Sequence, residues 1–320
     1  MLAAYVARAQ PDAPLAALVV GQRPDPEVPE GWVRVRVRAA SLNHHDLWSL
    51  RGVGLPPERM PMVLGTDAAG TTEDGREVIV HAVIASPGWA GDETLDPRRS
   101  LLSEVHQGTL AEYVVVPSGN LVDKPSELSF ADAACLPTAF LTAWRMLHRA
   151  EVGPGDTVLV QGASGGVASA AIQLGGLLGL RTWATARTEA KRHFALELGA
   201  DAAFESGARL PDRVDAVIET VGEATWPHSL KSLRPGGTVV VCGATSGANP
   251  PADLNRVFFL QLRVQGSTMG TRQELEALVG RLVSSGVRPR IDRVLGLDAA
   301  ADGLAALAAG DVLGKVVLTT

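Results

Sequence analysis

The residues whose types and spacing point most directly to chemistry stand at 162–168. The apolar run Thr157–Gln161 feeds into Gly162-Ala163-Ser164-Gly165-Gly166-Val167-Ala168, and a helical pattern begins at once. A turn of small residues lets backbone amides approach a pyrophosphate, which also lies at the positive end of the following helix. A glycine string alone is weak evidence, since it also serves as a tight structural turn, and the last small position is Ala168 rather than Gly. The strand before it and the amphipathic helix after it favour a dinucleotide site built on Gly162, Ser164, Gly165, Gly166 and Val167. The tip of the next strand selects the dinucleotide. NAD sites place an acidic residue there, about 20 positions past the glycines, to accept the ribose 2′-hydroxyl. Here the strand closes Ala184-Thr185-Ala186-Arg187. With no carboxylate at Ala186, and with Arg187, Lys191 and Arg192 beside it, the pattern suits a 2′-phosphate, so NADPH is the expected cofactor. The plainer alternative is that these bases solvate a helix start.

The elements that position this turn follow from periodicity. Apolar strands are expected at Thr157–Gln161, Thr182–Ala186, Asp215–Glu219, Thr238–Cys242 and Arg263–Gln265, with a weaker one at Ala202–Phe204. Between them, Val167, Ala170, Ala171, Leu174, Leu177 and Leu178 keep the spacing of one buried helix face, and Thr188 is placed to cap a helix over Glu189–Leu198. Such alternation predicts an α/β protein with a doubly wound, mostly parallel sheet. The first third reads differently. Trp32–Arg38, WVRVRVR, alternates valines with arginines as a half-buried antiparallel strand does, and further strands are expected at Glu77–Ala82 and Leu110–Val116. Gly314–Leu318 reads as a strand that returns to this β-rich part.

Composition narrows the function classes. A chain of 320 residues is long enough for about two domains. Its 29 Lys and Arg against 35 Asp and Glu, a net charge of -6, argue against a nucleic-acid partner. The two cysteines, Cys135 and Cys242, make neither a disulfide framework nor a four-cysteine zinc site, which fits a reducing cytoplasm. No signal peptide is read in the N-terminal residues. The uncharged stretch Val158–Leu180 is long enough to span a bilayer, but its six glycines and polar Gln and Ser residues fit a covered parallel sheet better, so no membrane partner is expected.

Several motifs occur together and in order: AASLNHHDLWSLRG at Ala39–Gly52, VLGTDAAG at Val63–Gly70, GTLAEYVVVP at Gly108–Pro117, LPTAFLTAW at Leu136–Trp144, the glycine turn, and GKVVL near the end. In this the sequence resembles the medium-chain dehydrogenases/reductases, and among them the zinc-free quinone oxidoreductase group. The resemblance covers nearly the whole chain. It implies a GroES-like β domain from both chain ends, 1–135 and 266–320, around an inserted Rossmann domain, 136–265, with the active site in the cleft between.

The resemblance also assigns site residues. Where the zinc alcohol dehydrogenases carry a Cys and a His ligand, this chain has Asn43 and Thr66. Cys135 falls near the third ligand position, and the cysteine-rich structural lobe is missing. No metal is therefore expected. Without a Lewis acid, the accessible reaction is reduction of a quinone or α,β-unsaturated carbonyl. Asn43 would orient the acceptor. His45, at a proton-relay position, could donate the proton, although paired histidines are also ordinary loop residues. His44, where a basic residue often meets the pyrophosphate, and Trp48, in place of a pocket tyrosine, would line the pocket. Cofactor contacts are implied for Thr142, Val221, Gly222, Gly243, Ala244, Ser267, Thr268 and Met269. A homodimer through an apolar edge at Leu262–Gly266 is also implied. A zinc-independent alcohol or aldehyde oxidoreductase and a non-enzymatic NADPH-binding protein remain the alternatives.

Overall fold

In the computed structural model, which describes residues 1–320, the alternating second half becomes a six-stranded parallel sheet. In space the strands run Ala202–Glu205, Arg181–Ala186, Thr157–Gln161, Val214–Glu219, Leu233–Val241, Arg263–Gly266. In chain order that is third, second, first, fourth, fifth, sixth, and the order reverses direction beside the first strand. Thr157–Gln161 is buried at every position, as expected where helices cover both faces. The helix Gly166–Leu177 packs on this strand and on Arg181–Ala186. The next helix runs Glu189–Glu197, and the Thr188 side chain caps it by accepting from the Lys191 amide.

Two compact units result: Met1–Thr138 with Gly270–Thr320, and Ala139–Met269. The first unit is built around one long strand, Trp32–Ser41. Its first half pairs with Tyr113–Pro117 and its second half with Asp67–Thr72 and, at Ala39–Ser41, with the C-terminal strand Lys315–Thr319. All these pairings are antiparallel. Only a residue without a side chain fits at Gly70, because a Cβ there would stand 2.1 Å from the Arg36 carbonyl oxygen. That close crossing brings Asp67 opposite Ser41.

Most strand bounds shift from the sequence expectation, and three of the shifts have a clear local reason. Leu110 and Ala111 leave the strand that starts at Tyr113, because the Leu110 amide donates to Leu64 and its carbonyl accepts from Ala4. The strand from Glu77 ends at Val80, where the His81 amide turns to the Asn120 carbonyl. The fifth parallel strand starts early, since Leu233 pairs with Val214 ahead of an irregularity in the register. No helix is long and apolar enough to cross a membrane.

Candidate functional site

Asn43 caps the helix His44–Arg51, and its backbone amide donates to Asp46 Oδ2 at 2.8 Å. Its side chain lies in a polar cluster. Lys315 Nζ donates to Asn43 Oδ1 at 2.6 Å and to the Leu42 carbonyl at 2.7 Å. Asn43 Nδ2 donates to Asp67 Oδ2 at 2.8 Å and lies 3.3 Å from Thr66 Oγ1, which is 3.0 Å from Thr138 Oγ1. Ser41 Oγ also donates to Asp67 Oδ2, at 2.6 Å. Lys315 and Asp67 are both buried, with Nζ 3.5 Å from Oδ2. The strand pairing of the two chain segments delivers them: Lys315 begins the C-terminal strand, and Asp67 begins the strand that crosses at Gly70. The Asn43 amide, expected to meet a substrate carbonyl, is thus committed to protein acceptors.

His45 and Asp46 stand on the same helix. His45 Nε2 lies 2.9 Å from Glu104 Oε1, forming an ion pair when the ring is protonated. Burial alone would lower the His45 pKa, but the hydrogen bond to Glu104 and the charges of Asp46, Glu104 and Asp67 outweigh it, and the net shift is upward. Burial pushes the Asp46 carboxyl up to about 6 against the pull of His45 and of the Asn43 amide. His44 is exposed and Trp48 half-buried. Cys135 is fully buried, its thiol donating to the Ala131 carbonyl, and burial pushes its pKa up to about 12.

In the second unit most of the expected cofactor residues follow the carboxyl ends of adjacent strands, where open parallel sheets bind ligands. Gly162 takes φ +75°, and a Cβ there would stand 2.9 Å from Val221 Cγ2. The two lie at the point where the strand order reverses. Gly165 caps the helix that starts at Gly166, and the first amides of a helix, here Gly166, Val167 and Ala168, lack intrahelical partners. The buried Glu219 carboxylate accepts from the Val221 and Gly222 amides at 2.8 and 3.0 Å and so shapes that turn. Gly243 and Ala244 follow the fifth strand, and Ser267, Thr268 and Met269 the sixth, where the Ser267 amide donates to Val241 and Ser267 Oγ is buried without a partner. Thr142 is buried in the helix Leu141–Arg149. At the second strand tip, Arg187 is exposed, Lys191 lies in the first helical turn, and Arg192 Nη1 donates to the Ala186 carbonyl at 3.3 Å.

Lys315, Glu104 and Thr138 escaped assignment from sequence. Lys315 lies 272 positions from Asn43, and Glu104 lies 59 from His45, so no local pattern joins them. Nowhere do three His, Cys, Asp or Glu side chains converge as a metal site.

Comparison with known proteins agrees with this architecture. Residues 29–126 match the alcohol dehydrogenase GroES-like domain family, and residues 166–285 match the zinc-binding dehydrogenase family. A 2-methylene-furan-3-one reductase of Solanum lycopersicum is 33% identical over 92% of this chain and 73% of its own length. The structure of an NAD-dependent alcohol dehydrogenase superposes with a TM-score of 0.92 at 36% identity, covering 100% of both chains. That of the 2-octenoyl-CoA carboxylase reductase CinF, in complex with NADP and 2-octenoyl-CoA, gives 0.90 at 26% identity, covering 99% of this chain and 87% of the other. On the paired domains, the strand order and these likenesses, the chain belongs to the zinc-type alcohol dehydrogenase superfamily of medium-chain dehydrogenases/reductases.

Proposed function

We propose that this protein reduces the carbon–carbon double bond of an α,β-unsaturated carbonyl compound, with NADPH as cofactor and without a catalytic metal. The observation that carries this reading is the Lys315–Asn43–Asp67–Thr66 cluster, in which a buried ammonium and carboxylate flank Asn43 and Thr66, the two residues that the resemblance matches to zinc ligands. The donor set does not fit a zinc ion. The Asn43 carbonyl oxygen is held by Lys315 at 2.6 Å, a fixed positive charge that repels a dication, and neither the Asn43 amide nor the Thr66 hydroxyl is an anionic or imidazole ligand of the kind zinc takes. A chain of hydrogen bonds that starts at a buried ammonium suits an oxygen that gains negative charge as hydride is accepted. A quinone makes an equal demand and is the second acceptor class. The likeness to an enone reductase and to an enoyl-CoA reductase supports the unsaturated carbonyl.

The residues of the second unit fit a dinucleotide phosphate. Gly162 leaves the space that a Cβ would fill, the first amides of the helix Gly166–Leu177 are free to meet a pyrophosphate, and Ser267 Oγ is a buried polar atom in need of a partner. NADPH bound there would supply the hydride. Arg187 and Lys191 would hold the 2′-phosphate, with Arg192 beside them. Thr142, Val221, Gly222, Gly243, Ala244, Thr268 and Met269 would complete the contacts. In the first unit His45 is the acid, kept charged by Glu104. Asn43 organises the donors, and His44 and Trp48 border the pocket. The sheet edge Arg263–Gly266, with Val264 exposed, and the exposed Leu254, Phe258 and Phe259 of the preceding helix, the last 81% exposed, support a homodimer.

Protein dialysed against a chelator should oxidise NADPH when a cyclic enone is supplied. Arg187→Ala should weaken NADPH binding by about 1.5–3 kcal/mol, the range for a hydrogen bond to a charged group, and leave NADH binding unchanged. Equal losses for both cofactors refute the NADPH assignment, and no turnover with enone or quinone refutes the reaction. His45→Gln should lower enone turnover by roughly 10²-fold. Because protonated His45 is the active form, the wild-type rate should fall as pH rises through its elevated pKa, and Glu104→Gln should move that fall to lower pH. A profile that does not move removes the pair from the mechanism. Sedimentation should show a dimer that Phe259→Asp dissociates; a wild-type monomer at micromolar concentration contradicts the dimer.

A further inference from the structure

The hydrogen bonds around Asn43 have a direction, and the direction ends on a residue with no assigned role. An ammonium group can only donate and a carboxylate can only accept. Lys315 Nζ, 2.6 Å from Asn43 Oδ1, and Asp67 Oδ2, 2.8 Å from Nδ2, therefore settle which way the Asn43 amide points. The amide nitrogen has no lone pair to offer, so across 3.3 Å Thr66 Oγ1 is the acceptor. Thr66 is 1% exposed, and its own O–H has one acceptor in reach, Thr138 Oγ1 at 3.0 Å. A buried hydroxyl proton left unpaired is costly, so Thr66 donates to Thr138. That leaves the Thr138 proton without a protein acceptor, on a half-buried side chain at the segment Leu136–Phe140. Each donor in the series is polarised by the one behind it, beginning with the Lys315 charge.

We propose that Thr138 donates its hydroxyl proton in a hydrogen bond to the carbonyl oxygen of the substrate, at the end of a relay whose direction Lys315 and Asp67 impose. This rests on the reading of the protein as a reductase of unsaturated carbonyls. It moves the contact with substrate oxygen from Asn43, whose amide is committed within the protein, to a hydroxyl two steps along. The group needed is one that stabilises negative charge developing on oxygen, and a polarised neutral hydroxyl meets that need without giving up its proton.

The test compares wild type with Thr138→Val, which keeps the shape and removes the hydroxyl, and with Thr138→Ser, which restores it. The probe is 2-cyclohexenone labelled with ¹³C at the carbonyl, read in two ways. With NADPH, Thr138→Val should lose roughly 10²-fold in kcat, the low end for an oxyanion donor, and Thr138→Ser should stay close to wild type. NADPH affinity should match in all three, and Tm should fall only in Thr138→Val, where Thr66 loses its acceptor. In the non-reacting complex with NADP⁺, the infrared band of the bound carbonyl should lie at lower frequency in wild type and Thr138→Ser than in Thr138→Val. A Thr138→Val protein with wild-type turnover and an unmoved band overturns the proposal while leaving the reductase reading intact. A band that moves as expected in a protein that never oxidises NADPH upholds the hydrogen bond and overturns the reductase reading. No bound carbonyl band in wild type overturns the proposal.

Discussion

A buried ammonium group must be answered by acceptors, and in the first unit the arrangement around Lys315 follows from that requirement. Lys315 is 3% exposed, and its Nζ takes the Leu42 carbonyl and Asn43 Oδ1 as hydrogen-bond acceptors, with the Asp67 carboxylate 3.5 Å away. Removing the Asp67 carboxylate would leave the ammonium out of water without a counter-charge, which is costly. The pairing of Lys315–Thr319 with Ala39–Ser41 delivers the ammonium, and the close crossing at Gly70 delivers the carboxylate. Asn43 is then oriented from both sides, and Thr66 inherits that orientation. The side-chain oxygen of Asn43 is thereby held by an internal cation. The chemistry such a site favours is hydrogen bonding to oxygen.

The second unit solves a similar problem with the opposite charge. Glu219 is fully buried, and its carboxylate accepts from the Val221 and Gly222 amides and from the Thr225 and Ser229 hydroxyls. Every lone pair that burial strips of water is thereby supplied with a donor. Because two of those donors belong to the turn after the fourth strand, the same carboxylate sets the turn's shape. Gln161, at the end of the first strand, joins the network by donating to Ser229 Oγ at 3.0 Å while Thr185 donates to its side-chain oxygen. The ends of the three central strands are in this way tied together beneath the glycine turn.

What was legible in the sequence was what depends on neighbours in the chain. The glycine turn, the strand before it and the helix after it are one contiguous segment, and all three stand where periodicity put them. Thr188 caps its helix as read, because a cap is a bond to a residue three positions away. Strand ends were less legible, since Leu110 and Leu233 answer to partners far along the chain. The first unit's polar cluster shows the limit clearly. GKVVL could be read as a strand, yet nothing in those five letters places the Lys315 ammonium on Asn43. The Glu104 pairing with His45 and the Thr66–Thr138 hydroxyl pair are likewise products of tertiary packing, visible only once the strands are in register.

With the Lys315 ammonium on Asn43 Oδ1 and a hydroxyl at Thr66, the proposed reaction needs no metal at the Asn43–Thr66 position. Protein incubated with excess zinc, dialysed against a chelator and analysed for metal should contain no stoichiometric zinc while still turning over an enone with NADPH. One zinc per chain that survives this treatment, with turnover that rises and falls with the metal content, would contradict it.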